Sequence, residues 1–206
     1  MLLKHRPPSI QSHSTTLDAG FEHLDQNWVA VLRWLNDNKV DYVVVGQVAR
    51  AIRGDRDARG PVAIVPAPYS RNYERLCNAL VAEHAGLRAE VGARGVAPSS
   101  ASIPVKLTAE KLARGKRWLL RFGSYDLDIE ADGSHRDEAD ARTADQAPAP
   151  RYQELVYEAA RVQLAEGLSV QAASPEDLEH YSHVRRTGEP PEFKVTRKTQ
   201  TEHETA

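Results

Sequence analysis

Residues 42–65 read YVVVGQVARAIRGDRDARGPVAIV, and this stretch decides the fold. Val43, Val44 and Val45 form a continuous apolar run, as expected for a strand covered on both faces. Gly46 ends the run, and Gln47 to Arg53 turns helical at once, with Val48, Ala49 and Ile52 inward and Arg50 and Arg53 outward. Gly54 stops the helix, a charged loop follows, and a second apolar run covers Val62 to Val65 before Pro66, Ala67 and Pro68 break the pattern. The order is strand, glycine turn, short helix, loop, strand. A turn of this kind can present backbone N–H groups to phosphate, which makes Gly46, Gln47, Arg50 and Arg53 the candidate nucleotide-binding residues.

Upstream, Phe21, Leu24, Trp28, Val31, Leu32 and Leu35 recur at spacings of three and four, giving one apolar stripe on an amphipathic helix between Leu17 and Val40. Asn36, Asp37 and Asn38 end it. Residues 1–15, with Pro7, Pro8 and several Ser and Thr, are expected to be a flexible arm. Residues 16–187 make up the domain, and the polar stretch 188–206 is expected to be a disordered tail.

Downstream, Tyr69 to Ala85 is a second amphipathic helix, with Ser70 expected as its N-cap and Gly86 as its stop. Leu107 to Leu112 reads as a short helix. Trp118 to Phe122 and Tyr125 to Glu130 read as paired strands joined through Gly123-Ser124, a two-residue hairpin signal. Along the second of these strands Tyr125, Leu127 and Ile129 face one way and Asp126, Asp128 and Glu130 the other. The acids are either part of a metal site or the solvent face of the hairpin. A helix over Arg151 to Ala160, a strand pair around Glu166-Gly167 and a helix started by Ser174-Pro175-Glu176-Asp177 complete the ordered chain.

At 206 residues the chain suits one domain of ordinary size. Its 41% apolar content supports a core, and its net charge of -2 supplies no global field for nucleic acid or an anionic membrane. The single cysteine, Cys77, excludes an internal disulfide framework and a cysteine-rich zinc site. No apolar run approaches the roughly 20 residues of a spanning helix, and the N-terminus lacks the apolar middle of a secretory signal. The expected location is the cytoplasm, with no membrane partner. His180 and His183 stand three apart on a helix without a matching acid or thiol cluster, and Ser99, Ser100 and Ser102 lie in a loop without a nucleophile motif.

The succession from Leu32 through Leu80, with the later carboxylate strand and the ending ASPEDLEHYSHVRRTGEPPEF, resembles the minimal nucleotidyltransferase fold, in particular the stand-alone bacterial nucleotidyltransferases related to abortive-infection toxins. The resemblance spans about residues 24–190. It implies an α/β (α+β) fold: a mixed sheet flanked by helices, with a C-terminal hairpin and helix. Members carry Gly-Gly or Gly-Ser at the turn and Asp-x-Asp or Asp-x-Glu on the second strand. A third carboxylate comes from a later strand, and the three hold two divalent metals, usually magnesium, that bridge the triphosphate and stabilise the leaving pyrophosphate. Here the turn is Gly46-Gln47 and the second strand begins Pro61-Val62-Ala63, so two of three ligands are missing, while Asp126 and Asp128 remain as metal candidates. Asp55 and Asp57 form an Asp-x-Asp pair a few residues early, and are the lesser candidates.

The expectation is a catalytically degenerate protein that binds a nucleotide, RNA or a protein partner, with no confirmed cofactor. The alternative is an active enzyme, toxin-like, that modifies RNA or protein with Mg2+ at a displaced site built from Asp55 or Asp57 with Asp126 or Asp128. A toxin–antitoxin or defence setting in a bacterium or phage fits either version.

Overall fold

The computed structural model describes residues 6–11, 14–88, 102–114, 117–130, 151–179 and 181. Seven strands form one mixed sheet: β1 (Tyr42–Val45), β2 (Val62–Pro66), β3 (Gly86–Leu87), β4 (Trp118–Phe122), β5 (Tyr125–Ile129), β6 (Ala160–Ala165) and β7 (Leu168–Ala172), in the order β3-β4-β5-β2-β1-β7-β6. The helices are α1 (Gln26–Asp37), α2 (Gly46–Ile52), α3 (Ser70–Ala82), α4 (Ala109–Leu112) and α5 (Tyr152–Glu158), and residues 175–179 begin a sixth, α6. The fold is therefore the mixed α/β class with flanking helices and a C-terminal hairpin and helix. The hairpins fall where their two-residue turns place them, at Gly123-Ser124 and Glu166-Gly167.

β1 runs antiparallel to β2, β2 parallel to β5, and β1 parallel to β7. Strand alternation then fixes two faces. Tyr42, Val44, Ile64, Leu127, Ile129 and Phe122 point to the side that α1 covers. There the Tyr42 hydroxyl donates to Asn36 Oδ1 at 2.9 Å, and the rings of Trp34 and Phe122 lie 5.0 Å apart. Leu32 and Leu35 are fully buried beneath α1, and each such side chain stabilises the fold by about 1.5–3 kcal/mol. The polar brace of the core is Asn72. Its Oδ1 accepts from the Asp41 N–H at 2.8 Å, and its Nδ2 donates to the carbonyls of Asp41 (2.8 Å) and Ala67 (3.1 Å). Every polar atom of this buried amide is thus used, and the entry to β1 is tied to the exit of β2.

The helix ends differ from the sequence expectation: the helix expected between Leu17 and Val40 begins only at Gln26, after turns over residues 19–24 and the Asp25 cap, and the helix expected over Arg151 to Ala160 ends at Glu158, with Ala160 opening β6. α3 stops at Glu83, not at Gly86, and α1 stops at Asn38. In α1 the Val40 N–H reaches the Leu35 carbonyl (3.0 Å) and the Lys39 N–H reaches that of Asn36 (2.8 Å). In α3 the Ala85 N–H reaches Leu80 (3.0 Å) and the His84 N–H reaches Val81 (3.1 Å). These are Schellman closures, but Lys39 (φ 56°) and His84 (φ 54°) occupy the left-handed position that glycine favours. α2 closes in the same way on a true glycine, Gly54 (φ 104°). Ser70 is the first residue of α3, with Tyr69 as its cap and no side-chain cap bond. Gly86 instead opens the short strand β3, where a Cβ would lie 2.6 Å from the Ile103 carbonyl oxygen.

The N-terminal segment expected as a flexible arm makes specific bonds to the body. Asn38 Nδ2 donates to the Pro8 carbonyl, Ile10 N–H to Glu83, Thr15 N–H to Gln26 Oε1, and Asp18 N–H to the Leu164 carbonyl. Residues 188–206, His180, His183, Ser99 and Ser100 lie outside the described residues.

Candidate functional site

The site expected from the sequence sits where β2 and β5 run side by side. Their register pairs Val62 with Leu127, Ala63 with Asp128 and Ile64 with Ile129. Ala63 also pairs with Val45 of β1, and Asp128 with Leu119 of β4. One row across the face opposite α1 is therefore Val45, Ala63, Asp128 and Leu119. Asp128, and not Asp126, is therefore the acid beside Ala63, the second position at which the resemblance implies a carboxylate. By the same spacing Pro61 falls level with Asp126. β2 presents no carboxylate to this face at all.

The acids of β5 are neither a solvent face nor an open ligand set. Asp128 is 1% exposed and Glu130 6%. Both are buried because arginines lie across them. Arg88 Nη2 donates to Asp128 Oδ1 at 2.7 Å, and Arg88 Nη1 lies 3.6 Å from Asp126 Oδ2. Arg117 spans Asp128 Oδ2 (3.5 Å) and Glu130 Oε2 (3.1 Å). Arg121 makes a two-pronged contact with Asp126, at 2.7 and 2.8 Å, the geometry in which a guanidinium binds a carboxylate most strongly. Three guanidiniums thus meet three carboxylates, and the ladder is neutral as a unit.

The local sequence explains two of these arginines. A two-residue turn pairs Phe122 with Tyr125, so Arg121 must face Asp126, and alternation puts Arg117 on the same side, level with Glu130. Sequence reading passed over both, although the alternation of Arg117, Leu119 and Arg121 carried the signal. Arg88 had no such signal. It reaches the ladder because its N–H continues the β3–β4 pairing onto the Leu119 carbonyl (2.8 Å), which sends its side chain over Leu119 to Asp128.

A divalent cation of the magnesium type takes oxygen ligands in a close octahedral shell. Here Ala63 of β2 and Pro61 just before it offer no side-chain oxygen, and the acids along β5 are engaged by cations of the protein itself. Among the described residues no group of three or more His, Cys, Asp or Glu is arranged to hold a metal. The donor set does not fit the two-metal centre of an active nucleotidyltransferase.

At the turn, Gly46 has φ 63° and is buried, and Val45 caps α2 with no side-chain bond. Gln47 packs its stem against Gly60, whose carbonyl accepts the Trp28 indole N–H at 2.8 Å. The start of β2 is thereby braced to the turn and to α1. Three arginines of the stretch 42–65, Arg50, Arg53 and Arg59, bond within the protein. Arg53 donates to the Ala173 and Ala172 carbonyls at 2.6 and 3.2 Å, tying α2 to the end of β7. Arg59 donates to the carbonyls of Arg56 and Ala58. Arg50 donates to Asp55 at 3.3 Å, with both side chains more than a third exposed, a pairing worth at most about 1 kcal/mol. Asp55 also accepts from the Asp57 N–H at 3.1 Å, which makes the Asp-x-Asp pair an Asx turn in the loop before β2.

No helix among the described residues is long and apolar enough to cross a membrane. Comparison of the chain with protein-family models, with curated proteins and with solved structures found no match.

Proposed function

We propose that this chain is a nucleotidyltransferase-like domain that no longer transfers nucleotides and works by binding. The carrying observation is the row Ala63–Asp128, with Arg88 and Arg117 on the Asp128 oxygens. In a two-metal transfer the cations must bridge carboxylates and triphosphate together. Where guanidiniums hold the carboxylates, a metal would have to displace an ion pair inside the fold and would then find no second ligand on β2. Such a domain keeps the scaffold and loses the chemistry, since a fold is not an activity.

Three kinds of partner suit the reading: a nucleotide at the Gly46-Gln47 turn, RNA, or a protein. The internal bonds of Arg53 and Arg59 engage cations that a phosphate group would use, which favours a protein over RNA and leaves a nucleotide the Gly46-Gln47 turn and Arg50, whose exposed pairing with Asp55 is weak. A toxin–antitoxin or phage-defence setting is part of the same proposal.

Calorimetric titration with each nucleoside triphosphate, with and without magnesium, tests it. The expected result is binding that does not require magnesium, or no nucleotide binding at all. Magnesium-dependent binding that disappears in Asp128→Asn or Asp55→Asn overturns the proposal and restores the enzyme with a displaced site.

A further inference from the structure

We draw no further inference here: the strongest candidate, the outer edge of β6 at the end of the sheet, where Arg161 and Gln163 are exposed and the Asp18 N–H already bonds the Leu164 carbonyl at 2.8 Å, carries none because nothing in the structure shows what covers the rest of that edge.

Discussion

Replacing Arg88 by methionine isolates the energetics of the ladder. The substitution keeps most of the apolar stem and removes the guanidinium that lies 2.7 Å from Asp128, a carboxylate 1% exposed. Breaking a buried pair by removing one partner costs about 3–5 kcal/mol, because the remaining charge is left uncompensated. Asp128 would keep Arg117 at 3.5 Å, which is about one third exposed, so the expected loss is at the lower end, about 3 kcal/mol. Arg121→Met is the internal control. Its partner Asp126 is 28% exposed and retains Arg88 at 3.6 Å, so the expected loss is about 1 kcal/mol. Urea unfolding at pH 7, followed by circular dichroism, gives both numbers from the midpoint shift at constant slope. A further variant, Arg88→Met with Asp128→Leu, replaces the pair by apolar groups and should recover part of the loss. If Arg88→Met unfolds at the same urea concentration as Arg121→Met or the parent, Asp128 is not held by Arg88, and the account of the ladder as a buried ion-pair network fails.

Two further outcomes follow from local geometry and from burial. Lys39→Gly and His84→Gly should each stabilise the protein by about 0.5–1 kcal/mol, since a left-handed non-glycine residue costs about 1–2 kcal/mol and glycine's extra chain entropy returns about 0.5–1; a lower urea midpoint for both would refute the reading of these helix ends. Tyr152 has its phenol pushed up to about 12, chiefly by burial and then by the charges of Asp41 and Tyr69. The fold favours the neutral form, so this contribution to stability is present below the ordinary value of 10.0 and is lost as pH rises toward about 12. Absorbance titration should lose a late-ionising component in Tyr152→Phe, and an unchanged titration curve in that variant would contradict the assignment.

The sequence by itself determined most of the elements and which side chains β2 can offer. Apolar periodicity placed α1, α3 and the β1–β2 run, and the two-residue turns placed both hairpins, because these features depend on neighbours within a few residues. The absence of carboxylates at Pro61 and Ala63 was equally plain, since no fold can supply a side chain that the chain lacks. Even the facing of Arg121 and Asp126 was implicit in the Gly123-Ser124 turn.

Only the tertiary structure decided what the remaining acids do. The choice between Asp126 and Asp128 depended on the parallel register of β2 with β5, two strands separated in sequence by α3, β3, α4 and β4. Arg88 and Asp128 are 40 residues apart, and no local pattern brings them together. Arg53, which looked like a free phosphate ligand, is turned to the end of β7 across a separation of 120 residues. Periodicity reports which face a residue occupies, whereas charge pairing depends on which strand becomes its neighbour, and that is settled by the packing of the whole sheet.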